Sequence, residues 1–222
     1  MNTRLAIFDL DGTLLDTIDD LAAAVDHTLA VRRLPRHTIE AYRQMVGGGI
    51  RNLIRKALPE DMRTDQYIAA CLPDFIDYYT ANIDRNTRPY RGIVQLLSEL
   101  PRHGVKMAVA SNKFQAGTEL LVGRFFPLVR FAAVCGNREG VPLKPDAAVI
   151  ESIVSCAGVD RDRTVMIGDS GVDIATARNA SIRSIGVTWG FRSREELAEA
   201  GADRIVSTAE ELLDAIVCQS RQ

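Results

Sequence analysis

Six short apolar runs limit what this chain can fold into. They lie at residues 4–8, 106–110, 132–135, 164–167, 184–187 and 204–206. Each is too short for a helix and nearly continuous in apolar character, as expected of a strand buried on both faces. Between most of them stand helix-period segments. Residues 92–100 place Ile93, Leu96, Leu97 and Leu100 on one face, residues 147–157 do so with Ile150, Ile153 and Val154, and residues 209–217 repeat the pattern. Short apolar strands alternating with amphipathic helices predict an α/β core, a parallel sheet with helices on both faces.

Residues 17–86 break this rhythm, because only helical periodicity appears there. Leu21, Ala22, Val25 and Leu29 line one stripe, and Ile50, Leu53, Ile54 and Ala57 another. A third helix, over residues 65–83, carries Ile68, Leu72, Phe75, Ile76 and Tyr79. An all-helical block between the first strand and its next partner reads as an inserted domain. The expected division is therefore a core of residues 1–16 and 87–222 and a helical insert of residues 17–86, with joints near Asp16 and Arg88.

Bulk properties exclude several classes of function. The formal net charge is −2, so no overall field draws the protein to nucleic acid or to an anionic membrane. No apolar run reaches the roughly 18 residues of a membrane span. No basic segment followed by an apolar one marks a leader at the N-terminus. Cys71, Cys135, Cys156 and Cys218 form no CxxC pair. They are expected to be reduced, mostly buried thiols in a cytoplasmic protein.

In an open parallel sheet, ligands sit outside the carboxyl ends of the strands. Four such ends carry polar residues here. The first is Asp9-Leu10-Asp11-Gly12-Thr13, with two carboxylates where a buried strand runs out. Holding them unpaired costs free energy, so a cation is expected beside them. The second is Ser111-Asn112-Lys113, a hydroxyl between a strand and a helix, where backbone N–H groups favour an anion such as phosphate. The third is Leu143-Lys144-Pro145-Asp146, read as a lysine just before a proline-started helix. The fourth is Gly168-Asp169-Ser170-Gly171-Val172-Asp173. Singly, each has an ordinary explanation: Asp11 as a turn former, Ser111 as a helix cap, Lys144 as a solvated charge, Asp169 and Asp173 as helix-dipole partners. Together they are what phosphoryl transfer requires. One aspartate attacks phosphorus, a second acid serves the leaving group and then water, and Mg²⁺ with a lysine neutralises the oxygens. A hydroxyl and backbone amides hold the rest.

In their order and spacing these four segments resemble the haloacid dehalogenase superfamily, phosphatase branch, over essentially the whole chain. The resemblance implies a Rossmann-like core with an inserted helical cap. It implies Asp9 as nucleophile and Mg²⁺ ligand, and Asp11 as general acid/base whose backbone carbonyl also faces the metal. Asp169 would be the third ligand, with Asp173 supporting the metal waters and the lysine. Ser111 and the Asn112 amide would bind the phosphoryl group, Lys144 would bridge that group and Asp9, and Thr13 would help orient Asp11. In the cap, Gly47-Gly48-Gly49-Ile50-Arg51 stands out. One reading is a flexible loop and helix start with a surface arginine; the other places the backbone amides of Gly48 and Gly49, with Arg51, over the substrate's other end, where a guanidinium suits a carboxylate.

Within the superfamily, that loop and the tail Gly186-Val187-Thr188-Trp189-Gly190-Phe191 look most like phosphoglycolate phosphatases. The resemblance thus points to a Mg²⁺-dependent hydrolase of a small phosphorylated metabolite such as 2-phosphoglycolate, acting as monomer or homodimer. Pyrophosphate or a sugar phosphate is the alternative substrate on the same core, and a non-catalytic phosphate-binding protein is the alternative of another class. Two features argue against relatives with different chemistry. The related phosphomutases carry a cap histidine where this chain has Leu21, and the dehalogenases lack the carboxylate of Asp11. His27 is off the histidine register and is expected to pack. One departure is Ala147, where the third motif often has a second proline.

Overall fold

The computed structural model describes residues 3–217 of the 222-residue chain. Strands β1 (Leu5–Phe8), β4 (Lys106–Phe114), β5 (Phe131–Asn137), β6 (Thr164–Gly168), β7 (Arg183–Val187) and β8 (Arg204–Val206) form one sheet in the order β5-β4-β1-β6-β7-β8. All its pairings are parallel. The six runs read from the sequence are these six strands. Strand β1 is buried throughout because it lies in the middle, paired with β4 from Leu5↔Lys106 to Phe8↔Val109 and with β6 from Leu5↔Thr164 to Phe8↔Ile167.

Side chains alternate across the sheet. Ala6 and Phe8 join the core under α5 (Ile93–Glu99), α6 (Gln115–Phe125) and α10 (Ala209–Val217). Leu5 and Ile7 join a second core under α7 (Ala148–Ala157) and α8 (Gly171–Asn179). Helix α9 (Arg194–Glu199) packs against β7 and β8, with Leu197 buried. The chain winds outward from β1 through β4 to β5, then returns to β6 and winds the other way. The reversal falls between β1 and β6, so the segments that follow these two strands splay apart and leave a crevice.

Four helices stand between β1 and β4: α1 (Ile18–Val31), α2 (Ile39–Met45), α3 (Gly49–Ala57) and α4 (Asp65–Asn82). The chain enters and leaves them through a two-residue antiparallel ribbon that the sequence did not announce. In it β2 (Leu15–Asp16) pairs with β3 (Arg88–Pro89). Helix α1 packs on α4, and α3 packs on both α4 and β4. The apolar stripes of α1, α3 and α4 meet in a core of Leu21, Val25, Leu53, Ile54, Phe75 and Tyr79 that is continuous with the core under the sheet. His27 packs, stacked on Tyr78 with ring centroids 4.4 Å apart.

Asp20, in the first turn of α1, ties the two connections together. Its buried carboxylate accepts hydrogen bonds from the Thr87 amide and hydroxyl, each at 2.8 Å, and from the Asn86 amide and side chain.

Helix α2 was not foreseen, and β4 runs four residues beyond its expected end. The helix expected to start at Pro145 begins at Ala148, since residues 145–147 form a turn in which Asp146 Oδ1 accepts the Ala148 amide at 2.8 Å. Cys71 and Cys135 are buried free thiols, whereas Cys156 is exposed; Cys218 lies outside the described residues. Among the described residues, no helix is long and apolar enough to cross a membrane.

Candidate active site

The ends of β1, β4 and β6, together with the loop carrying Lys144, bring the four polar segments to one place. Asp9 follows Phe8 directly, and its backbone amide bonds the Ile167 carbonyl of β6 at 2.9 Å. Its Oδ1 accepts the Leu10 amide at 2.7 Å and lies 3.0 Å from Lys144 Nζ. Asp169 follows β6. Its Oδ2 accepts the Phe191 amide at 2.7 Å and its Oδ1 accepts the Thr13 hydroxyl at 3.2 Å.

Backbone packs close around Asp169. A Cβ on Gly190 would strike Asp169 and the Gly12 carbonyl, and Gly12 itself turns with φ +84°. A side chain at either position would push the carboxylate away.

Asp173, in the first turn of α8, does two jobs. One oxygen accepts the Ser170 amide and hydroxyl, capping the helix, and the other is 2.7 Å from Lys144 Nζ. Lys144 also donates to the Ala110 carbonyl at 2.7 Å. Its ammonium thus sits between Asp9 and Asp173 at the base of the site.

Asp9, Asp169 and Asp173 each offer a carboxylate oxygen, and these oxygens lie within 4.8 Å of one another. Burial raises the Asp9 carboxyl to about 8. Lys144 opposes that shift, while Asp173, Asp169 and Asp11 add to it. Burial and then Asp173 raise Asp169 to about 7, against the opposing Phe191 amide. Burial works to lower Lys144, but Asp173 and Asp9 outweigh it and hold the ammonium above its ordinary range. If all were ionised, one half-buried and two buried carboxylates would outnumber this ammonium, and that crowding is what favours protons on Asp9 and Asp169 when no cation is bound. An all-oxygen, hard donor set fits Mg²⁺.

The remaining predicted residues separate. Ser111 is buried in β4 and lines the same cavity. The Asn112 side chain is committed to structure. It donates to the carbonyls of Lys144 (2.9 Å) and Gly47 (3.0 Å) and accepts the Lys144 amide (2.8 Å), joining three segments. Thr13 contacts Asp169 rather than Asp11; the hydroxyl on Asp11 comes from Thr17, at 2.7 Å. Gly49 lines the cavity, and Gly48 precedes α3 as its cap residue without lining it. Arg51 is not brought to the site. It points off α3 toward Asp65 at 3.7 Å with its side chain 49% exposed, because its helix turns the Leu53–Ile54 face inward.

Two residues that the sequence reading left without a role line the cavity. Lys113 Nζ lies 3.0 and 3.1 Å from the two oxygens of Asp11 and 4.5 Å from the centre of the Tyr79 ring. The available signal was its place in the Ser111-Asn112-Lys113 segment, where β4 runs out into the site. Arg192, after β7, reaches α2 and donates to the carbonyls of Arg43 (2.6 Å) and Val46 (2.7 Å). No local pattern in the sequence announces that contact.

The cavity has a volume of ≈ 60 Å³. Asp9, Asp11, Ser111, Lys113 and Asp169 form its polar wall, and Leu21, Ile50, Leu53, Phe75 and Phe114 its apolar one. A larger cavity, ≈ 300 Å³, opens on the other side of Asn112 and Lys144 but is lined by no carboxylate.

A buried carboxylate cluster at the switch point of a parallel sheet, under an inserted helical layer, defines a class of hydrolase, and comparison with known proteins agrees. Residues 6–187 match the haloacid dehalogenase-like hydrolase family, and the chain belongs to it. It is 40% identical over 190 residues to the phosphoglycolate phosphatase of Agrobacterium fabrum, spanning 84% of this chain and 81% of that one. It is 35% identical over 209 residues to the phosphoglycolate phosphatase of Caulobacter vibrioides, spanning 93% and 87%. The solved structure of a candidate phosphoglycolate phosphatase from Lactobacillus delbrueckii subsp. bulgaricus matches with a TM-score of 0.91 at 35% identity, covering 98% of this chain and 99% of that one. The family and the α/β fold expected from the motifs are both correct.

Proposed function

We propose that the protein hydrolyses a small phosphate monoester, 2-phosphoglycolate, through a phosphoryl group carried on Asp9. As a phosphoric monoester hydrolase it needs a nucleophile, a proton donor and a cradle for phosphoryl oxygens, and one observation carries the reading. Lys144 is fixed between Asp9 and Asp173, so the carboxylate that must attack is held at the mouth of β1 beside a permanent cation.

Asp9 attacks phosphorus as the bond to the leaving oxygen breaks, and Asp11 gives that oxygen its proton. Asp11 then takes a proton from water, which attacks phosphorus and frees Asp9 and inorganic phosphate. The Ser111 hydroxyl, the Asn112 backbone amide and the Lys144 ammonium hold the other phosphoryl oxygens. The residues that would hold Mg²⁺ are Asp9, Asp169 and the Asp11 carbonyl, with Asp173 in support; there the ion supplies positive charge against the phosphoryl oxygens.

On this reading residues 17–86 are a cap over a core of residues 1–16 and 87–222. The cap excludes water, and its Leu21, Ile50, Leu53 and Phe75 wall the space beside Asp9 and Asp11. The relatives named phosphoglycolate phosphatase support the choice of substrate.

The test is kcat/KM across a panel of phosphorylated metabolites, with Asp9→Asn and EDTA as controls. We expect 2-phosphoglycolate to lead the panel and Asp9→Asn to abolish turnover. A sugar phosphate or pyrophosphate in the lead overturns the substrate, turnover by Asp9→Asn overturns the nucleophile, and activity that survives full chelation overturns the metal.

A further inference from the structure

Lys113 stands next to the reaction centre with no task in the chemistry above. Its backbone amide donates to the Ser111 hydroxyl at 3.2 Å, and it lines the same cavity as that hydroxyl, which is assigned to the phosphoryl group. The side chain is sealed, with 3% of its surface exposed, and among the described residues its ammonium meets the Asp11 carboxylate and the face of Tyr79 alone. A buried cation of this kind is stable only with an anionic partner.

The other cations near the cavity are committed. Lys144 is shared by Asp9, Asp173 and the Ala110 carbonyl, Arg192 is held by carbonyls of α2, and Arg51 lies outside. The partner of Lys113 is different, because the proposed reaction needs the Asp11 carboxyl at the leaving oxygen. It cannot serve there and remain on Lys113 through both oxygens. A substrate that draws Asp11 away therefore leaves a buried ammonium without a counter-ion.

We propose that Lys113 selects substrates carrying a carboxylate on the leaving-group side, which takes the place that Asp11 vacates. The proposal rests on the phosphatase reading above and names the group that recognises the acid end of its substrate. Discrimination comes from the cost of an unpaired charge. A neutral substrate of equal size forces Lys113 to stand alone, whereas an acidic one restores the pair.

The test compares wild type, Lys113→Met and Lys113→Arg on 2-phosphoglycolate and ethyl phosphate at saturating Mg²⁺. Calorimetric binding of phosphonoacetate and ethylphosphonate runs alongside. The preference of wild type for the acid in kcat/KM is expected to fall about 30-fold in Lys113→Met and to survive largely in Lys113→Arg. The ratio of the two binding constants is expected to fall in parallel. Each ratio is taken within one variant, so a misfolded fraction cancels.

Equal losses on both substrates in Lys113→Met, with wild type preferring the acid, overturn the assignment to Lys113 and leave the substrate reading standing. No acid preference in wild type, in turnover or in binding, overturns the carboxylate itself and leaves the phosphatase. If wild type turns over neither ester, the phosphatase reading fails, and the binding ratio alone decides whether Lys113 meets a carboxylate.

Discussion

Removing the Asp20 carboxylate tests whether the two connections to the helical layer act as one joint. Asp20 is 2% exposed and gathers four donors from the returning chain. Asp20→Ala leaves them without an acceptor. The donors differ in worth. Thr87 is buried, so its amide and hydroxyl cannot turn to water, and each hydrogen bond to a charged acceptor contributes about 1.5–3 kcal/mol. Asn86 is exposed, and water replaces much of what its two donors lose. The expected cost is therefore about 3–4 kcal/mol, well below the sum over four charged bonds. Asp20→Asn keeps the shape and one acceptor but turns an amide N–H₂ toward donors, so it should cost about 2 kcal/mol. Equilibrium urea unfolding measures both. For a chain of this length, Asp20→Ala corresponds to a fall in Tm of roughly 10 °C. A loss below about 1 kcal/mol for Asp20→Ala would refute the reasoning, because it would mean that the Thr87 donors find other partners at no cost.

Two further predictions concern the charges of the site and its closure. Asp9 and Asp169, raised to about 8 and about 7, hold protons in the folded state that the unfolded chain releases near pH 4. Stability of the metal-free protein should therefore fall as pH rises from about 4 through about 8, with Tm in EDTA dropping between pH 5 and 8 and Mg²⁺ removing most of the drop; a flat Tm in EDTA over that range counts against it. Arg192→Leu should raise KM for the substrate several-fold at least while changing kcat less, because it releases the carbonyls of Arg43 and Val46 that hold α2 to the core. Steady-state kinetics in which KM is unchanged would show that this contact does not set closure.

The sheet was legible because parallel strands buried on both faces need unbroken apolar runs, and 5–8 and 164–167 contain little else. The site was legible at Asp9, Lys144 and Asp169 because they directly follow strands or occupy the loop between them, where an open sheet must bind its ligand. Legibility ended where a contact joins segments far apart in the chain. The resemblance implied Thr13 on Asp11, yet the Gly12 turn aims it at Asp169, 156 residues away. Arg51 had two readings, a surface arginine or a guanidinium over the substrate's carboxylate, and its register on α3 turns it out to Asp65.

By itself the sequence determined the alternation of strands and helices, the break at residues 17–86 and the supply of acids, hydroxyl and lysine at strand ends. These follow from local periodicity and from where an open sheet exposes its ends. Only the tertiary structure decided which charges are partners. The pairing of Lys113 with Asp11 depends on how the ends of β1 and β4 meet, and the clamp of Asp20 on Thr87 and the reach of Arg192 to α2 depend on how the helical layer docks on the sheet. Docking is settled by packing between surfaces whose residues lie 67 to 149 positions apart, and no local pattern encodes it.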